Sequence, residues 1–524
     1  MPSPILSLVL LGLQATPPVD RPPNPIERSV VDFSLGNGWR FLLVPRAGTP
    51  IVSIETAIDV GSVDDDDGKR GLANLFAQLT MQGSERLGST DWSEERVALS
   101  TVEESFGRWR SALEPVADDS GDEPDAAAAE LAFLAARDHA REFVSPESFR
   151  RFLEDAGGVG SILVECAPDS TRYAVSLPSN QLELWCWLES ERFTRPCLRS
   201  FFSERDRCLD ARLRDREVAA RTTLLEQLRL AAFTTHPYRH PASGYVDDLA
   251  KLRRADTDGF FRKHYGAMRM VTTIVGDFDP DRLRPLIERY FATVPTNVET
   301  GVASEPRSAE PQPTLERRIS VSYAAPRLMA LAWSVPPHAH VDGAAVEVTA
   351  RILGPHAGSR LHQRLVRDAA LATDLATQAG WPGERSANLV LVELTPLAGV
   401  EPTAIESAVE EELALLRERG PSERDLAIAQ RSLVDERRRA LADPEQLARL
   451  LNHYQLLGGD WRDAFKGAER WNGVSAQAVQ AVVDVYFTDV RRTIALLEPK
   501  EPAAGLETKI ETDGSADEGT EAPR

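Results

Sequence analysis

The chain has 524 residues, too many for one hydrophobic core and enough for two or more domains of roughly 100–250 residues each. Its 81 acidic against 60 basic residues leave a net charge of −21, which argues against nucleic acid or an anionic membrane surface as the main partner and leaves a basic peptide electrostatically acceptable. Four cysteines, Cys166, Cys186, Cys197 and Cys208, lack C-x-x-C spacing, so neither a zinc ribbon nor a redox motif is indicated; they read as buried free thiols or, in an oxidising compartment, as one or two disulfides.

The first 15 residues read as signal-like. Ile5-Leu6-Ser7-Leu8-Val9-Leu10-Leu11-Gly12-Leu13 is an apolar run of h-region length, followed by Ala15, although no Lys or Arg precedes it. Export to the periplasm or cell envelope is the expectation, with a short lipid-facing anchor as the alternative. No other stretch approaches the about 18 apolar residues of a membrane span, so no integral span is expected. Residues 16–30 carry several prolines and read as a linker.

Strands are predicted over residues 30–35 and 39–45, separated by Gly36-Asn37-Gly38, and over residues 51–58. The acidic run Asp64-Asp65-Asp66-Asp67 reads as a solvated loop, because adjacent carboxylates repel one another without a scaffold to aim them. Beyond it comes Gly71-Leu72-Ala73-Asn74-Leu75-Phe76-Ala77-Gln78-Leu79-Thr80-Met81-Gln82-Gly83-Ser84. Residue for residue, this stretch resembles the signature of the pitrilysin/insulinase (M16) metallopeptidases, Gly-Leu-Ala-His-Phe-Leu-Glu-His-Met-Leu-Phe-Lys-Gly-Thr, which carries an inverted zinc motif on one helix. Two imidazoles four residues apart share a helix face and can bind one zinc, while the Glu between them takes a proton from the zinc-bound water. Here Asn74 and Gln78 stand at the histidine positions and Ala77 at the glutamate. Neutral amides are poor zinc donors beside imidazole, and alanine has no basic atom.

Residues 88–145 look inserted. Leu99, Val102, Phe106, Trp109 and Leu113 recur at helical spacing, and an Ala-rich run follows an acidic turn, so a helical hairpin with a packed Phe106/Trp109 stripe is predicted. The resemblance resumes at Phe149-Arg150-Arg151-Phe152-Leu153-Glu154-Asp155-Ala156-Gly157-Gly158. There the family turns into an edge strand that grips extended peptides through an Asn-Ala pair, the added-strand mode of recognition. This chain has Ser161-Ile162 and Glu165 in that region, which puts the grip in doubt.

The second chemical motif of the family is Glu-Arg-x-Val-Val-x-Glu-Glu-Arg, a helper glutamate and, seven residues later, the third zinc ligand. Against Glu204-Arg205-Asp206-Arg207-Cys208-Leu209-Asp210-Ala211-Arg212, Glu204 keeps the helper and Ala211 replaces the ligand. Asp210 lies one residue off, about 100° around a helix, and is a poor substitute. His236 and His240 are each followed by a proline, and His338 and His340 lie in a similar loop; turn formation is the plainer reading of both pairs, metal binding the sharper one.

Residues 252–275 read as helix then strand, 281–291 as an amphipathic helix, and 300–316 as an interdomain linker. The second half echoes the first: aligning Val474 with Leu252 brings Phe487 to Tyr265, as internal duplication would. Strands are predicted over 328–335 and 387–394, and helices over 344–353, 403–419, 423–442 and 444–457. Ser359-Arg360-Leu361 through Thr373 resembles a family segment in which Arg and Tyr, seven apart, steady substrate and oxyanion; Val366 and Thr373 occupy those places, with Arg367 one residue away. Residues 500–524 form an acidic tail read as disordered.

The expected fold is therefore α+β, with M16-like domains at 31–299 (helical insert 88–145) and 317–499, each a mostly antiparallel sheet with helices on one face. The resemblance implies a catalytically inactive subunit without zinc, paired with a zinc-bearing M16 homologue or shaping a chamber that accepts unfolded peptides. Two other readings stay open: a stand-alone envelope binding or assembly protein, and a residual zinc endopeptidase whose donors Asp210, Glu204, Glu165 and His236 would regroup around a metal.

Overall fold

The computed structural model describes residues 24–113, 125–145, 149–218, 220–296 and 309–500. The signal-like segment, the first part of the 16–30 linker, the acidic turn of the insert, residues 300–308 of the interdomain linker and all of the tail but Lys500 lie outside them. No helix among the described residues is long and apolar enough to cross a membrane.

Two compact units emerge, and neither is a continuous half of the sequence. The first gathers Met1–Leu209, Ala242–Glu305 and Ala427–Ser475; the second gathers Asp210–Pro241, Pro306–Leu426 and Ala476–Arg524. The continuous domains expected from the sequence are thus each interrupted by a segment that packs with the other unit.

The first unit is built on β1 (Val31–Ser34), β2 (Arg40–Pro45), β3 (Ile51–Ile58), β4 (Val159–Cys166), β5 (Thr171–Pro178) and β6 (Met270–Gly276). They lie in the order β1-β2-β6-β3-β5-β4, antiparallel except for the β2·β6 pair. Alternation along β3 sends Val52, Ile54 and Ile58 into the main core with Leu75, Phe76 and Phe291, while Ala57 faces the opposite side. That second side is covered as well. Leu447, Leu451 and Tyr454 of the Pro444–Gly458 helix close over Leu42, Val44, Val271 and Val275, so β6 is buried along its whole length. Each such leucine contributes about 1.5–3 kcal/mol by leaving water. Helices therefore lie on both faces of this sheet, not one.

In the second unit β7 (Arg317–Tyr323), β8 (Leu328–Val335), β9 (Ala372–Trp381), β10 (Asn388–Pro396) and β11 (Arg492–Pro499) lie in the order β7-β11-β8-β10-β9, with β7·β11 the parallel pair. The Ala220–Ala232 helix packs on β7, β8 and β11. This sheet repeats the first one without β1. The echo seen in the sequence is exact in the fold: one offset, 222 residues, carries the Arg254–His264 helix onto Ala476–Tyr486 and the start of β6, Met270, onto the start of β11, Arg492.

The insert is the expected hairpin, Trp92–Ala112 and Ala126–Arg141. Its aromatic stripe is packing: Trp109 stacks on Phe133 at 5.4 Å, and Phe106 lies 5.4 Å from Phe133 and 4.6 Å from Phe202. All four cysteines are free, three of them buried.

Candidate functional site

The motif segment forms a helix over Leu72–Leu79, and its N-terminus is fixed by residues on three sides. Gly71 has φ 101°, a conformation open to glycine, and a Cβ there would sit 3.0 Å from the Ser243 carbonyl and 2.9 Å from Leu249. Asp65 accepts the backbone N–H of Gly71 at 2.8 Å and of Ala73 at 2.7 Å, so it satisfies donors that the first helical turn leaves open. This corrects the solvated-loop expectation for Asp65, which is buried; Asp66 and Asp67 are exposed and pair with Lys263 and Arg70. Burial pushes the Asp65 carboxyl up to about 7, against the two N–H groups and the nearby Arg70 that favour its charge.

Of the helix's eight residues only Asn74 and Gln78 are not buried. Four apart, they share the one face that the core leaves open, as the motif's geometry requires. Ala77 is fully buried in the core, and Phe76 anchors the opposite side against Phe260, Phe261 and Tyr265 at 5.8, 5.9 and 4.4 Å.

Glu204 stands on the Phe201–Val218 helix, half-buried. Its Oε1 accepts from Gln82 Nε2 at 3.0 Å and its Oε2 pairs with Arg207 at 2.7 Å. The retained helper is thus held by structural partners. Further along the helix Asp210 is exposed and Ala211 half-buried. Glu165 lies 3.2 Å from Arg449 and 3.9 Å from Arg172. His236 is buried and its Nδ1 accepts the Tyr238 N–H at 3.1 Å, a turn-forming role. Among the described residues no group of three His, Cys, Asp or Glu side chains could hold a metal ion, so the regrouping of Asp210, Glu204, Glu165 and His236 does not occur. Zinc does not fit this donor set: the helix offers two amides and a methyl where two imidazoles and a carboxylate are needed.

In the second unit Val366 lies in a π-helical turn over His362–Asp368, half-buried, and Thr373 is exposed on β9, its hydroxyl donating to the Thr395 carbonyl at 3.3 Å. Arg367 beside them is exposed.

The residue that sequence reasoning missed is Arg199. Its side chain is 1% exposed, flanked by Leu198 and Ser200 at φ 48° and 59°, left-handed values that non-glycine residues adopt only when held. It is held by every donor it has: Nε and Nη2 reach Glu95 at 2.9 and 3.1 Å, Nη1 reaches the Gln82 carbonyl at 3.0 Å and that of Leu87, and Nη2 reaches the Ser84 carbonyl at 2.9 Å. Arg199 thereby ties the turn after the motif helix to the insert hairpin. No local pattern announces this; the partners are about a hundred residues away in sequence.

Residues 251–433 match the family described as Peptidase M16 inactive domain. A curated relative, the zinc protease PqqE of Helicobacter pylori, is 23% identical over 274 residues, which is 51% of this chain; the match spans 60% of the relative's length. A crystal structure of a protease from Helicobacter pylori superposes with a TM-score of 0.73 at 18% identity, covering 90% of this chain and 99% of that one. The first half of the periplasmic protease PqqL from Escherichia coli gives 0.64 at 15% identity, covering 91% and 93%. The chain is therefore similar to the M16 peptidases: it has the fold of an M16 half, and residues 251–433 match the model described as that family's inactive domain.

Proposed function

We propose that this chain is a non-catalytic M16 subunit that pairs with a zinc-bearing homologue or helps to shape a chamber for unfolded peptides. One observation carries the reading: on an intact motif helix, the open face presents the amides of Asn74 and Gln78, while the base position, Ala77, is a methyl packed in the core. A hydrolytic site would need a metal to polarise the carbonyl and a base to activate water, and neither has a donor here. Val366 and Thr373 likewise lack the guanidinium and phenol that the resemblance assigns to substrate and oxyanion. The apolar run at residues 5–13, together with the periplasmic relative, supports export to the periplasm or cell envelope.

Affinity purification of the tagged chain from its native host tests the pairing. Recovery of a His-x-x-Glu-His homologue in near-stoichiometric amount supports it. A different single partner at that ratio would favour the stand-alone envelope reading, for which Val97, Leu113 and Leu131, exposed on the insert, are the supporting observation.

A further inference from the structure

We propose that β7, the open edge of the second sheet, is a self-association surface: a second copy of this chain adds its own β7 antiparallel to it, across a twofold axis at Ser320. The two sheets differ at this edge. In the first, β1 pairs along the outer side of β2; the equivalent strand of the second sheet, β7, has β11 on one side and no strand on the other. The Lys500 N–H, continuing β11, donates to the Tyr323 carbonyl at 2.8 Å, so Tyr323 and every second residue before it face β11. Arg318, Ser320 and Ser322 therefore turn their main-chain groups outward, and among the described residues no backbone group bonds them from that side.

An open edge invites pairing, and folds usually blunt it with a short strand, a bulge, a proline or a free charge. The other three edges show such devices: β1 is four residues long, and β4 and β9 break register against their neighbours. β7 runs seven residues in unbroken register with β11 and contains no proline. Its two arginines are engaged elsewhere. Arg318 pairs with Glu406 at 2.7 Å and with Glu316, and Arg317 donates to the carbonyls of Ala231 and Ala232 at 3.0 and 2.6 Å. The strand also complements itself. With Ser320 on the axis, Ser320 faces its own counterpart, Arg318 faces Ser322, and the half-buried, β-branched Ile319 faces Val321 on the other side of the sheet. The outward main-chain groups then meet as the hydrogen-bonded pairs of an antiparallel ladder, and no like charges are opposed. An axis at Arg318 would set two guanidiniums opposite each other. A patch that satisfies itself in this way is what a twofold dimer requires.

Sedimentation equilibrium of the full chain tests this, at about 0.15 M salt so that repulsion between two acidic chains is screened beyond about 8 Å. The expected result is a dimer that dissociates on dilution. Ser320→Lys and Ser320→Glu each place like charges opposite one another at the axis and should each weaken the dimer about tenfold or more. An equimolar mixture of these two variants should dimerise again, because a lysine then faces a glutamate. Ser320→Pro, which removes an outward N–H and no bond to β11, should give a monomer. Circular dichroism confirms that the variants are folded; the Lys and Glu variants, changed only at an exposed side chain, decide the matter if Ser320→Pro unfolds. A natural chain that stays monomeric up to about 100 μM, as it would with its edge covered by its own tail or reserved for another protein, overturns the proposal. So does a dimer that folded Ser320→Lys and Ser320→Glu leave undiminished, or a mixture of the two that stays monomeric.

Discussion

Gln82 donates its side-chain N–H to Glu204 across 3.0 Å, and this bond joins the end of the motif segment to the helix that carries the second motif. The one acidic residue retained from the family's chemistry is thus employed as a brace. Truncating it should be felt as stability: Glu204→Ala is expected to cost about 1–2 kcal/mol in urea unfolding, since a hydrogen bond to a charged group is lost and a half-buried amide is left unpaired. Glu204→Gln should cost less than Glu204→Ala. If Gln82→Ala and Glu204→Ala proved strictly additive in a double-mutant cycle, the brace would be ruled out.

Arg199 and Glu95 form an ion pair with both side chains almost inaccessible. Removing only the cation should strand a buried charge, so Arg199→Met is expected to lower stability by about 3–5 kcal/mol. Adding Glu95→Leu to it should restore part of the loss. A double variant less stable than Arg199→Met alone would contradict this view of the pair.

Two buried groups give the stability opposing pH slopes. Asp65 is raised from 3.8 to about 7, so between those values the native state keeps a proton that the unfolded chain has released, and Asp65 makes stability fall as pH rises. His264, buried beside Lys263 and Arg269, is lowered from 6.5 to about 4. There the unfolded chain binds the extra proton, so stability is lost as pH falls below about 6.5. The stability of the protein minus that of Asp65→Asn should therefore decline from pH 4 to 7. The same difference for His264→Gln should climb from pH 4 to 6.5 and then level off. Chemical denaturation across this range reads both; slopes of the same sign would refute the assignment.

Asn74 and Gln78 share an open helix face, so replacing both with histidine should be tolerated within about 1 kcal/mol, as substitutions off the core usually are. The double variant should gain a thermal shift with added Zn²⁺ that the natural chain lacks, because two imidazoles at i and i+4 can chelate. Failure of folded Asn74→His/Gln78→His to respond to zinc would mean that the two side chains do not converge.

The long strands and helices were legible where pattern and burial agree. β3 and β8 have the bounds that their apolar runs suggest, and the Glu423–Ala442 helix likewise. β9 was not, because Ala372-Thr373-Asp374-Leu375-Ala376 has neither clean alternation nor strong strand formers; it is an edge strand whose register comes from β10. The interrupted units were hidden for the same kind of reason. The apolar faces of the Ala220–Ala232 and Pro444–Gly458 helices show that they bury something, but not which sheet. At the site, the motif positions could be placed by resemblance, since substitutions at a known spacing are visible in one dimension. The Asp65 cap, the Gln82 brace and the Arg199 tie depend on tertiary neighbours and left no such trace.

The central claim concerns donors, so the most direct measurement is the metal content of the purified natural chain after equilibration with zinc and removal of excess, read together with cleavage of an unfolded peptide substrate. The account predicts no stoichiometric zinc and no hydrolysis by this chain alone. One tightly held zinc per chain, with hydrolysis that chelation abolishes, would contradict it.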